Sequence, residues 1–191
     1  MSAVSKSGDP LPWYTYPSID FLKYRSYNDR TILEFGAGQS TFWWAQRAKR
    51  VVSLEGDEVW FQKLKPHVSS NVELHLVPVD KPRACIEAVN RILDSLSEFR
   101  FDVIVIDGLW RYEMIDIAIR VVSDTGIIVC DNAEGYGFFD GFRSRGFQRV
   151  DFFGNAPGVV LPHCTSIFFR PGSFVFDSEY PIPVIAKEID L

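Results

Sequence analysis

Five side chains in the second half of the sequence are of types that do chemistry, and their positions group them. Asp107 closes the apolar run "FDVIVID", Asp131 and Asn132 close "GIIVCDN", and His163 stands just before "CTSIFFR". If the first two runs are neighbouring strands, two carboxylates and an amide oxygen meet at one rim. Oxygen donors of that kind suit a hard divalent ion such as Mg²⁺; the same groups also serve as turn and helix-cap residues. His163 reaches that rim if its strand runs antiparallel. It is then a candidate general base toward a bound hydroxyl, the plainer alternative being a loop histidine bonded to backbone. Arg111, four residues beyond Asp107, is placed to bind a carboxylate or phosphate, or to pair with Glu113, Asp131 or Glu134. Asp107, Asp131 and His163 are thus the candidate catalytic groups, and Asp107, Asp131 and Asn132 the candidate metal ligands.

A second constellation lies earlier, in "TILEFGAGQSTFWWA". A buried-type strand ends near Glu34, and Gly36 and Gly38 follow before a helix. Glycine lets a backbone turn tightly and approach a ligand closely. A dinucleotide fingerprint needs a third glycine, and Thr41 stands there instead. Glu55 closes the next strand, nineteen residues after Gly36. A carboxylate at that distance suits the hydroxyls of a ribose.

These residues need a scaffold that brings strand ends together. Apolar runs and amphipathic stretches alternate from residue 31 to residue 143, and the runs are apolar on both faces, as in parallel sheets. Two last strands, "FQRVDFFG" and "CTSIFFR", have only a loop between them, so that pair is antiparallel. The expected fold is α/β: a Rossmann-like, doubly wound, mainly parallel seven-stranded sheet with an antiparallel last strand. Residues 1–30 read as an N-terminal arm and helix, 31–170 as the main domain, and 171–191 as a C-terminal tail. In such sheets ligands bind outside the carboxyl ends of the strands. Trp13 and Tyr14, ahead of the sheet, are candidates to fold over a substrate. Phe42, Trp43 and Trp44 are too many for one helix stripe, so at least one is expected to face a pocket or a partner chain, as in a homodimer.

Composition narrows the function classes. The 191 residues are 47% hydrophobic and 24% charged, with a net charge of −5 and no Lys/Arg-rich block. That argues against a nucleic-acid surface. The polar start "MSAVSKSGDPLP" has no apolar core of a signal peptide, and no run is long enough to cross a bilayer. Cys85, Cys130 and Cys164 are odd in number and sit in apolar or helical contexts, which suits reduced thiols and a cytoplasmic setting.

On these motifs the sequence resembles the class I S-adenosylmethionine-dependent methyltransferases over about residues 30–170. "LEFGAGQST" resembles their first motif, "SLEGD" the acidic end of their second strand, and "FDVIVIDG" and "GIIVCDN" their fourth and fifth strands. The resemblance implies S-adenosylmethionine as cofactor. Glu34, Gly36, Ala37, Gly38, Ser40 and Thr41 would lie along its methionine part, Glu55 and Gly56 at the ribose, Asp80 near the adenine, and Asp107 and Gly108 closing the methionine side. It implies methyl transfer to a small-molecule acceptor, by expectation an oxygen nucleophile, with Trp13, Tyr14, Arg111 and Asn132 toward that acceptor. Metal-dependent O-methyltransferases of the catechol type carry a second acid soon after the first; "DGLWR" has none. Two other readings stand beside this one. A non-catalytic S-adenosylmethionine-binding or scaffold protein would have the same fold. An NAD(P)-dependent oxidoreductase would want the third glycine and an acid–base pair such as Tyr-x-x-x-Lys.

Overall fold

The computed structural model describes residues 3–96, 100–177 and residue 180. Strands β1 (Thr31–Phe35), β2 (Arg50–Glu55), β3 (Val72–Leu76), β4 (Phe101–Ile106), β5 (Val122–Cys130), β6 (Gln148–Gly154) and β7 (His163–Phe169) form one sheet in the order β3-β2-β1-β4-β5-β7-β6. β1 pairs in parallel with both β2 and β4, and β7 runs antiparallel between β5 and β6. The helices are α1 (Tyr16–Leu22), α2 (Gln39–Ala45), α3 (Glu58–Leu64), α4 (Pro82–Ser95), α5 (Met114–Val121) and α6 (Phe138–Arg143).

The order has a physical cause. Every residue of β1 is buried, and so is nearly all of β2, β4 and the second half of β5. Such strands must be covered on both faces, and helical crossovers supply the cover. After β1 the chain winds outward through β2 and β3, then returns to lay β4 on the other side of β1. The carboxyl ends of β1 and β4 therefore diverge at a switch point, the place where this architecture opens a crevice.

One core lies under α4, α5 and α6; Leu33, Leu93, Ile106, Met114 and Phe138 belong to it. The other lies under α1 and α2 and gathers Tyr14, Leu22, Tyr27, Trp43, Trp44 and Val175. This second core bears on two expectations. Trp43 and Trp44 face no cavity, because Tyr14, Tyr27 and Phe174 cover them; their rings meet edge to face at 4.6 Å, while Phe42, the third aromatic of the helix, stays half-buried. The arm and the start of the tail are not appendages either. Residues 14–27 and 174–175 supply part of the core, and only residues 178, 179 and 181–191 of the tail lie outside the described residues. β5 also begins at Val122, four residues before its apolar run, because it continues straight from α5. Among the described residues no helix is long and apolar enough to cross a membrane.

Candidate functional site

The glycine turn is fixed by backbone contact with the β4 loop. The Gly36 N–H donates to the Leu54 carbonyl and the Asp107 N–H to the Phe35 carbonyl. Gly36 has φ +108°, and a Cβ there would lie 2.7 Å from the Asp107 carbonyl oxygen. A Cβ on Gly108 would lie 2.8 Å from the Gly36 Cα. Both positions need glycine because two loops cross without space for a side chain. Gly38 differs: nothing lies within 4 Å of its would-be Cβ, so its backbone opens to the crevice.

Two cavities meet at this turn and share Gly36, Ala37 and Asp107. The first, about 510 Å³, lies between the turn and the β5–β7 rim. Gly38, Gln39, Ser40, Trp60, Arg111, Asn132 and Val159 line it, with Trp13, Asp131 and His163. The second, about 590 Å³, lies toward β2 and is lined by Glu55, Gly56, Asp57, Val79, Gly108, Leu109 and Trp110. Gly56 lets Val79 and Leu109 close over the backbone: a Cβ there would fall 2.1 Å from Val79 Cγ1 and 2.6 Å from Leu109 Cδ2.

Glu55 ends β2 with its carboxylate already bonded. Oε2 accepts the Ala37 N–H at 3.0 Å, and Oε1 accepts those of Gly56 and Asp57 at 2.8 and 2.7 Å. It thereby ties the glycine turn to the start of α3. Asp57 caps that helix by accepting the Trp60 N–H, and the Trp60 indole donates to the Ala37 carbonyl at 2.8 Å.

At the other rim, Arg111 occupies the centre of the oxygen cluster. Its Nη2 donates to Asp107 Oδ1 at 2.9 Å, and its Nη1 donates to Asn132 Oδ1 at 3.1 Å and to the Asp131 carbonyl. Tyr136 stacks over the guanidinium at 4.9 Å. The remaining candidate ligand, the Asp131 carboxylate, is engaged elsewhere: its Oδ1 accepts the Thr165 hydroxyl at 2.6 Å and lies 3.1 Å from His163 Nε2. The three oxygen-bearing residues of the Mg²⁺ expectation thus meet at one rim, with Arg111 among them. A guanidinium already bonds one Asp107 oxygen and the Asn132 amide oxygen, and among the described residues no group of three His, Cys, Asp or Glu side chains could hold an ion. Burial, with the Asp131 charge beside it, pushes the Asp107 carboxyl up to about 8 against the pull of Arg111. Burial raises Asp131 too, opposed by the Thr165 hydroxyl and by His163.

Several expected residues stand outside the cavities. Tyr14 is fully buried and accepts the Trp44 indole N–H at 3.2 Å; burial drives its phenol well above its ordinary range. It is a core residue, and its neighbour Trp13 is the one that lines the cavity. Thr41 is fully buried and accepts the Gly38 N–H at 3.1 Å, so it caps α2. Glu34 is fully buried, with Oε2 accepting the Ser53 hydroxyl at 2.6 Å and Oε1 unpartnered among the described residues. Burial raises its carboxyl to about 7. Asp80 is exposed and lines neither cavity; Val79 holds that place, its carbonyl accepting the Trp110 indole N–H. Trp60 lines the first cavity and was not expected; Val159 lines it from the Asn155–His163 loop, which the sequence offers as an acceptor-recognition segment. An indole three residues past a helix cap has a signal in "EGDEVW".

No protein-family model and no protein of curated function matches the sequence. Solved structures do match the fold. A methyltransferase from Pyrococcus furiosus aligns with a TM-score of 0.57 at 17% identity over 81% of each chain. A precorrin-6y C5,15-methyltransferase from Geobacter metallireducens aligns with a TM-score of 0.58 at 19% identity, over 80% of this chain and 86% of that one. An O-methyltransferase from Bacillus cereus, solved with S-adenosylhomocysteine, aligns with a TM-score of 0.57 at 17% identity, over 73% and 74%. At these identities the likeness establishes a shared methyltransferase fold.

Proposed function

We propose that the chain binds S-adenosylmethionine across the glycine turn and directs its methyl group to a hydroxyl of a small-molecule acceptor in the cavity beneath His163. The observation that carries this reading is the meeting of two cavities at one glycine turn, with a carboxylate on one side and a histidine on the other. A ligand with a nucleoside at one end and an amino acid at the other has the shape to straddle such a turn. Glu55, Val79, Leu109 and Trp110 offer the nucleoside a carboxylate among apolar walls. The open Gly38 backbone and Ser40 stand beside the amino-acid end.

When bound, the cofactor supplies an electrophilic methyl group on sulfur. The residues of this chain then have to seat and orient an acceptor, keep water out and take a proton. Trp13 and Val159 wall the acceptor side, Arg111 and Asn132 present fixed polar groups there, and His163 is the proton acceptor. Arg111 also sets the charge of the rim. It places one cation beside the Asp107 carboxylate and the Asp131 backbone.

Calorimetry with S-adenosylhomocysteine tests the reading. Ligand at about a hundred times its dissociation constant adds about 2.7 kcal/mol to stability, so a thermal shift also reports it. Binding of S-adenosylhomocysteine but not of NAD⁺ or NADPH is expected. Stabilisation by a nicotinamide nucleotide alone overturns the proposal.

A further inference from the structure

The first cavity is bordered by a buried chain of hydrogen bonds that ends on His163. The Thr15 N–H donates to Thr165 Oγ1 at 2.9 Å. The Thr165 hydroxyl donates to Asp131 Oδ1 at 2.6 Å, and the same oxygen lies 3.1 Å from His163 Nε2. Thr15 and Thr165 are fully buried, and Asp131 and His163 are 3% and 5% exposed. The direction of the chain follows from donor inventory. A hydroxyl has one proton. Thr165 Oγ1 accepts from an amide, so its proton is free to go to Asp131. Oδ1 is thereby an acceptor, and the bond to the imidazole is completed by a proton on Nε2. The other ring nitrogen, Nδ1, is buried and has no partner among the described residues. It has almost no accessible surface, so it meets a ligand group only as the side chain shifts toward the cavity, in the way catalytic bonds tighten on ligand binding.

We propose that His163 takes the acceptor's proton on Nδ1, and that Thr165 is the positioning residue that fixes this tautomer by orienting Asp131. Arg111 leaves the Asp131 carboxylate free for this role, because it bonds the backbone carbonyl of Asp131 and not its side chain. The far end of the chain is anchored as well: the Thr15 hydroxyl donates to the Phe152 carbonyl at 2.9 Å. Trp13, two residues before Thr15, lines the cavity, so the acceptor wall and the base belong to one hydrogen-bonded body. The inference rests on the methyl-transfer reading for its chemistry. The acceptor oxygen forms a bond to the methyl carbon as the carbon–sulfur bond breaks and its electron pair goes to sulfur. The hydroxyl proton passes to Nδ1, the imidazolium is balanced by Asp131, and the proton then leaves to water.

The test is nitrogen NMR of ¹⁵N-histidine-labelled protein without any ligand, which reads tautomers independently of activity. The chain has three histidines, so His163→Gln assigns the signal by its loss. The expected wild-type pattern is a protonated, pyrrole-like Nε2 and a bare, pyridine-like Nδ1, with a slowly exchanging Hε2. Thr165→Ser keeps this pattern. Thr165→Val, or Thr165→Ala should the valine variant not fold, gives mixed tautomers and a fast-exchanging Hε2, while His67 and His75 are unchanged. A proton on Nδ1 in the wild type overturns the proposal, and an unchanged His163 pattern in a folded Thr165→Val or Thr165→Ala variant removes Thr165 from it. Failure to bind S-adenosylhomocysteine with the expected tautomer present would count against the methyl-transfer reading alone.

Discussion

Removing the Glu55 carboxylate separates its two duties. From sequence, Glu55→Ala should weaken cofactor binding by at least about tenfold and leave the fold intact, the carboxylate being free for ribose hydroxyls. The structure changes both halves of that statement. Glu55 accepts three backbone N–H groups, from Ala37, Gly56 and Asp57, and is 9% exposed. Bonds to a charged acceptor are worth about 1.5–3 kcal/mol each, and water entering the cleft of a truncated variant returns part of that. About 1 kcal/mol per amide surviving gives a loss near 3 kcal/mol. For a chain of this size that is a fall in melting temperature of about 6–12 °C. The lone pairs also cap the effect on affinity. A carboxylate offers about four acceptor sites, and three are taken. One hydroxyl bond fits without releasing an amide, so S-adenosylhomocysteine should bind about tenfold more weakly, roughly 1.4 kcal/mol. Urea denaturation measures the first quantity and calorimetry the second. Unchanged stability with an affinity loss beyond about a hundredfold would refute the reasoning, since it would mean that the carboxylate serves the ligand and not the loop.

Titration with Mg²⁺ or Mn²⁺, with and without S-adenosylhomocysteine, should give no saturable binding; a saturable site abolished in Asp131→Ala would show that Arg111 yields its place to a metal. Arg111→Met leaves Asp107 and Asp131 without their cation and should cost about 3–5 kcal/mol above about pH 8, where Asp107 is ionised, by denaturation; a variant as stable as the wild type there would show that Arg111 does not hold the rim together. Gly108→Ala puts a Cβ 2.8 Å from the Gly36 Cα, and its midpoint of unfolding should fall by the equivalent of about 1–3 kcal/mol. Glu34 sets a pH dependence: its folded carboxyl is raised to about 7 from an ordinary 4.5, so the native protein keeps a proton that the unfolded chain releases in that window. Its contribution is full below the lower value and is lost as pH rises toward 7, with a slope of up to about 1.4 kcal/mol per pH unit. Urea midpoints from pH 4.5 to 8 should show that slope reduced in Glu34→Gln, and an unchanged profile would place the titration elsewhere.

The sheet was legible because its strands are buried on both faces. "TILEF", "VVSLE" and "VIVI" leave no polar face to set a register against solvent, so they belong in the middle of a parallel sheet. The short link between the last two runs gave the antiparallel pair by length alone. What the pattern could not give was the reach of the second core. "FWW" in α2 has more aromatic surface than one stripe of a helix hides, and the two possible covers, a partner or another part of the chain, are chemically the same. Tyr14, Tyr27 and Phe174 supply that cover for Trp43 and Trp44 from outside the alternating region. No periodicity marks Tyr27 or Phe174, because each packs by a single ring from a loop or a short turn.

The site was legible at its strand ends and not between them. Glu55, Asp107, Asp131 and His163 lie where a parallel sheet with one reversed strand must put them, because strand termini inherit their position from the register. Arg111 inherits nothing of the kind. A carboxylate, a carbonyl and an amide oxygen are the same donor set for a divalent ion or for a guanidinium. The choice is made by the turn that joins β4 to α5. That turn passes through Trp110 at φ +28°, and Asn132 opposite it holds φ +51°. Both are conformations that a non-glycine residue adopts at a cost, so local propensity argues against them. They are held by the bonds they make possible: Arg111 returns over Asp107, and Asn132 turns its oxygen toward Arg111. A guanidinium offers five N–H donors in one plane, and here one side chain joins the ends of β4 and β5. The missing second acid in "DGLWR" and the arginine at its end therefore belong to one turn, which brings a guanidinium back to the carboxylate that ends β4.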